Sequence, residues 1–92
     1  MRFEWDEAKN RRNIRRHDID FADAIDIFNH PMLTALDERD DYGEDRWLSI
    51  GWIQLLIGVV VYSQCDSDVI RIISARKATR REIRRYEQSF KN

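Results

Sequence analysis

The stretch Ile57-Gly58-Val59-Val60-Val61-Tyr62 is apolar at consecutive positions, so both of its faces need cover. A half-buried strand would alternate; this one predicts a central strand enclosed on two sides. Three more strand signals surround it. With Leu56 to Ser63 they are Met32 to Leu36, Arg46 to Ile53 and Val69 to Ala75, separated by polar segments containing Asp, Gly or Ser. Four consecutive strands with short connections imply a mainly antiparallel, curved sheet. Within Arg46 to Trp52 the alternation groups Leu48, Ile50 and Trp52 and leaves Ser49 and Gly51 on a more open face. The apolar run from Ile53 to Tyr62 is far shorter than the roughly 20 residues of a membrane-spanning helix.

Helices flank this sheet. Phe3-Glu4-Trp5 alternates like a short strand, and Asp6 is a suitable N-cap for a helix running to about His17. Lys9, Asn13, Arg16 and His17 fall at i, i+4, i+7 and i+8 of that helix and share one polar, cationic face. Asp18 and Asp20 open a second helix, in which Phe21, Ala24, Ile25 and Phe28 have the spacing of a buried stripe, and His30-Pro31 ends it. Thr79-Arg80-Arg81-Glu82 reads as a capping box, so a last helix begins near Ala78, with Ile83, Tyr86 and Phe90 as its apolar stripe. The chain therefore reads as one α+β domain over residues 1–92: a short strand, two helices, four strands and a helix.

A net charge of -1 hides a strong division. Residues 1–17 carry six Lys/Arg and three Asp/Glu, residues 18–70 two and twelve, and residues 71–92 eight and two. Two basic ends enclose an acidic middle. If the ends meet in the fold, they form an anion-binding surface suited to phosphates or an acidic partner. The competing reading of the same charges is a set of solvated helix faces. The single cysteine, Cys65, excludes an internal disulfide and a cysteine-based zinc site. Glu4, Asp6 and Glu7 stand where the apolar part of a signal peptide would begin, so a cytoplasmic protein is expected.

Taken together, Phe3-Glu4-Trp5-Asp6, Lys9, Asn13, His17, Phe21, Tyr42-Gly43-Glu44, Arg46, Ile50, Gly51, the run from Val69 to Thr79, Glu82 and Tyr86 resemble the BrnT toxin family. Ile70-Arg71-Ile72-Ile73-Ser74-Ala75-Arg76-Lys77-Ala78-Thr79 is the most specific part. The resemblance implies a RelE-like fold and a metal-independent endoribonuclease that arrests translation. It also implies a BrnA antitoxin with a ribbon-helix-helix dimer, through which the complex meets operator DNA. No cofactor or metal is implied. Two positions depart from the family pattern: Asp18 stands where Gly is usual, and Gln54-Leu55-Leu56 lacks a Gly-rich, often Arg-containing hairpin tip.

Metal-free RNA cleavage needs the 2'-hydroxyl deprotonated, the pentacovalent phosphate stabilised and the leaving oxygen protonated. Guanidinium groups suit the phosphate because they bind it bidentately, which directs attention to Arg71, Arg76 and Arg46. In a regular strand Arg71 would share a face with Ile73 and Ala75, where it could also simply pair with a carboxylate. His17 is the candidate acid or base, or else a helix-terminal cap. Glu44 is a candidate proton acceptor or a partner that orients Arg46. Lys9, Lys77 and Arg80 complete the phosphate-binding candidates, whereas Glu82 is assigned first to the capping box and Tyr62 and Tyr86 to packing. The alternative function is a non-catalytic binding module whose basic helices grip an acidic partner or nucleic acid.

Overall fold

The computed structural model describes residues 1–91, as β1 (Arg2–Glu4), α1 (Glu7–His17), α2 (Phe21–Ala24), a 3-10 turn (Ile25–Asn29), β2 (Leu33–Leu36), β3 (Trp47–Ile53), β4 (Leu56–Asp66), β5 (Val69–Lys77) and α3 (Arg80–Ser89). The sheet has five strands in the order β1-β5-β4-β3-β2. β2 to β5 form the expected antiparallel meander. The short N-terminal strand joins it in parallel, Phe3 opposite Ile70, which the local pattern of Phe3-Glu4-Trp5 could not reveal because pairing partners are set by tertiary structure. The sheet is thus mixed and five-stranded rather than four-stranded.

β4 is central, and Val59, Val60, Val61 and Tyr62 are all buried. One face of the sheet packs under α2 and the 3-10 turn, where Ile19, Phe21, Ala24 and Ile27 meet Ile53, Val60, Tyr62, Ile70, Ile72 and Ala75. The other face holds a smaller cluster of Ile50, Val59 and Tyr86 from α3. Ser49 and Gly51 lie on the first face and are buried, contrary to the open face expected for them. Ser49 links Thr34 Oγ1 at 2.7 Å to the Tyr62 hydroxyl at 2.9 Å, so a hydroxyl chain satisfies a polar side chain inside the core. A Cβ on Gly51 would approach Ile27 Cγ1 to 3.0 Å, which explains a residue without a side chain there.

The helix signals are also sharpened. Asp6 caps α1 by accepting from Ala8 and Lys9 N–H, and Thr79 and Glu82 form the capping box of α3. The second helix is capped by Asp20 alone, while Asp18 ends α1 in the left-handed region at φ 59°. That conformation favours glycine and is tolerated by Asp. Tightening of the second helix into a 3-10 turn rotates its stripe: Phe21 and Ala24 are buried as expected and Phe28 packs partly buried against the core, while Ile27 rather than Ile25 is the fully buried isoleucine.

α1 docks on β5 through two buried asparagines. Asn13 Nδ2 donates to Ala75 O at 2.8 Å and to Ile19 O at 2.9 Å, and Asn13 Oδ1 accepts from Ala75 N at 3.1 Å. One carboxamide therefore supplies Ala75 with the pair of bonds a neighbouring strand would make. Asn10 repeats the device on the next segment, accepting from Phe21 N at 2.9 Å and donating to Asp20 Oδ1 at 3.0 Å. Asn13→Ala leaves two backbone carbonyls and one N–H without these partners. It is expected to lower stability by about 2–4 kcal/mol, measured by urea unfolding, since each buried orphan costs on the order of 1–3 kcal/mol.

Candidate active site

β5 carries the site candidates and is irregular at a decisive place. Tyr62 stands opposite Ile72 and Val61 opposite Ser74, so Ile73 is an extra, bulged residue. The bulge breaks the alternation expected from sequence. Ala75 joins Ile70 and Ile72 in the core, and Arg76 falls into phase with Arg71. In an unbulged strand these two arginines would face opposite ways.

Two groups of candidates result. At the end of β5 next to α3, His17 of α1 shares a concavity with Arg76, Lys77, Thr79, Arg15 and Arg16. An adjoining concavity along α1 shares Arg16 and His17 with the first and adds Lys9, Arg12, Asn13 and Ser74. The basic ends of the chain do meet here. Arg80 begins α3, exposed, one residue beyond Thr79. Arg12, Arg15 and Arg16 were not singled out as site residues from sequence, although Arg12 and Arg16 lie at i+3 and i+7 from Lys9.

Arg71, Glu44 and Arg46 gather elsewhere. Arg71 pairs with Glu4 at 3.4 Å, and its pKa is raised by Cys65 first, then by the hydrogen bond and charge of Glu4, with Glu44 contributing. Arg46 lies 4.0 Å over the Tyr42 ring and pairs with Glu44 at 3.4 Å. Glu44 and Arg46 belong to the β2–β3 loop rather than to a strand, yet the expected contact between them forms. Along the strand Arg71 and Arg76 are about 16 Å apart, at about 3.3 Å per residue. Arg71 turns to Glu4 and Arg76 to Glu82, so the candidates divide into the α1–β5 cleft and a second row near the loop.

Two carboxylates carry more electrostatic consequence than the sequence indicated. Glu82 binds Arg76 in a fork, Nη1 to Oε1 at 2.8 Å and Nη2 to Oε2 at 2.9 Å, while also accepting from Thr79 N at 2.9 Å. These bonds, Arg76 first, hold its carboxyl at about 2. Asp37 has a side chain only 1% exposed and is gripped by Arg39 Nε and Nη2, both at 2.7 Å, with the Tyr42 hydroxyl at 3.3 Å. Its carboxyl is likewise lowered to about 2, chiefly by the Arg39 hydrogen bonds. Asp37 N also donates to Arg46 O at 2.7 Å, so this clasp closes the loop that presents Tyr42, Glu44 and Arg46. No sequence pattern marked Asp37, because burial of one acid in an acidic loop is a tertiary fact.

Among the described residues no three His, Cys, Asp or Glu side chains gather as a metal-ligand group. The family described as "Ribonuclease toxin, BrnT, of type II toxin-antitoxin system" matches residues 5–82. The crystal structure of the Brucella abortus ribonuclease toxin BrnT has the same fold, with a TM-score of 0.68 and 30% identity over 87% of this chain and 99% of that one. No curated protein matches the chain. An α+β domain with a mixed sheet and a cationic cleft beside its last long strand thus has a family. The chain belongs to the BrnT ribonuclease toxins of type II toxin-antitoxin systems.

Asp37 and Glu82 both titrate below their ordinary values of 3.8 and 4.5 in the folded chain. Each therefore adds stability that is complete above about pH 5 and disappears as pH falls toward about 2. Thermal melting followed from neutral to acid pH should be flat at first and then drop. The drop should be visibly shallower in Asp37→Asn, which has no carboxylate to protonate at that site.

Proposed function

We propose that the α1–β5 cleft cleaves RNA without a metal ion, as an endoribonuclease toxin that inhibits translation. The observation that carries this is the joining of His17, Arg76 and Lys77 in one concavity, with Lys9 in the next. Arg76 and Lys77 supply positive charge where a pentacovalent phosphate would develop negative charge. Imidazole is the side-chain type that exchanges protons near neutral pH, which assigns His17 to proton transfer at the 2'-hydroxyl or the leaving oxygen. Lys9, about two helical turns before His17, is placed to hold a neighbouring phosphate. Arg71 and Glu44, expected among the catalytic residues, are assigned with Arg46 to more distant RNA contacts, since none of the three lines the concavities that hold His17.

Family membership supports an antitoxin partner, and we assign to it the ribbon-helix-helix BrnA type, acting on operator DNA only as the complex. An acidic segment of that partner would neutralise α1 or α3, whose exposed surfaces carry Arg11, Arg12, Arg15 and Arg16, or Arg80, Arg81, Arg84 and Arg85. Among the described residues no helix is long and apolar enough to cross a membrane, and we place the protein in the cytoplasm as a single domain over 1–92.

Arg76→Ala and His17→Ala should each lower RNA cleavage by about 100-fold or more, the range for removing one transition-state donor or a general acid-base. Antitoxin affinity, measured by calorimetry on the same preparations, should change little. Full cleavage by both variants would remove the catalytic assignment of His17 and Arg76.

A further inference from the structure

Arg76 lines the cleft and is paired with Glu82, and the geometry of the pair does more than neutralise charge. A guanidinium has five N–H donors in one plane. In Arg76, Nη1 donates to Glu82 Oε1 at 2.8 Å and to Lys77 O at 3.3 Å, and Nη2 donates to Glu82 Oε2 at 2.9 Å. Three donors are thereby engaged by the protein. The two left over are Nε–H and the second Nη2–H, which covalent geometry makes parallel on the side edge of the group. Such an edge matches two oxygens of one phosphate.

We propose that Glu82 is a positioning residue: it holds Arg76 by its end edge so that the side edge, Nε–H with Nη2–H, is the fork that receives a phosphate of the RNA. Glu82 can do this because it is itself fixed. It sits at the third position of α3, accepts from Thr79 N at 2.9 Å and donates its own N–H to Thr79 Oγ1 at 3.2 Å, so the carboxylate cannot follow a swinging arginine. The Arg76 side chain is 33% exposed and lines the same concavity as His17 and Lys77. The capping box, a local helix-starting device, thus doubles as the support of the phosphate fork. The assignment rests on the phosphate-cleaving reading of the cleft but can fail separately from it.

An opposite role for the same contact is a latch, in which Glu82 occupies Arg76 until phosphate displaces it. Side-chain NMR of the full chain separates the two. The Arg76 Nε–H signal, identified by its loss in Arg76→Lys, is followed while inorganic phosphate is added at constant ionic strength. In the wild type this signal should shift saturably. In Glu82→Gln, which keeps the size of the side chain and an oxygen for Thr79 N–H, phosphate should bind about tenfold more weakly, a loss of about 1.4 kcal/mol. Equal or tighter binding by Glu82→Gln would establish the latch and overturn the proposal. So would a wild-type Arg76 signal that ignores phosphate, a result that does not depend on Glu82→Gln folding. Cleavage assays on the same samples keep the two claims apart: phosphate on the fork without RNA cleavage would remove the nuclease reading alone.

Discussion

The carboxamide of Asn13 is the contact on which the arrangement of the cleft depends. β1 pairs with only the first three residues of β5, leaving the rest of that outer edge without a strand. A bare edge this close to the core would expose unpaired backbone groups. Asn13 meets both groups of Ala75 and, by also holding Ile19 O, fixes the chain just after α1 turns. The last turn of α1, with Arg16 and His17, is thereby brought against the end of β5 that carries Arg76 and Lys77. A helix docked by apolar contacts alone could slide; one docked by paired hydrogen bonds to a single residue has a defined register.

That docking gives the divided charge of the chain a purpose. Six basic residues precede position 18 and eight follow position 70, and members of both sets, Lys9, Arg12, Arg15 and Arg16 from the first and Arg76 and Lys77 from the second, line the α1–β5 cleft. Apart from Asp18, which lines the cleft beside His17, acids of the middle segment serve caps and clasps elsewhere: Asp20 on α2, Asp26 on the hairpin turn at Gln54 and Asp37 inside the β2–β3 loop. Asp26 and Asp23 also explain how Gln54 serves a turn where its φ is 54°, since both carboxylates bind it, one at the backbone and one at the side chain. The acids therefore stabilise the scaffold while a concentrated cationic surface remains at one edge, a separation that overall charge conceals.

Much of this was legible in local pattern. β4, the antiparallel meander, the Asp6 cap and the capping box of α3 follow from features that act over a few residues, and the structure contains each. What escaped depended on contacts between distant segments. The bulge at Ile73 rephased Arg71 and Arg76, yet Ile72-Ile73-Ser74 has nothing that marks a bulge. Asn13 looked like a member of a cationic face, and its burial follows only from the edge of a strand 62 residues away. His17 and Arg76 were selected by residue type and family resemblance; their shared concavity required the fold. The same fold set Arg71, Arg46 and Glu44 apart from them, an outcome that a list of chemically apt residues has no means to express.

The central claim is that the α1–β5 cleft, and not the row around Arg71, receives the RNA backbone at the point of cleavage. A crystal structure of the chain with a short RNA blocked by a 2'-O-methyl group tests it most directly. The account predicts the blocked phosphate between His17 and Arg76, with the next phosphate toward Lys9. A blocked phosphate seated on Arg71 and Arg46, with His17 and Arg76 facing solvent, would contradict it.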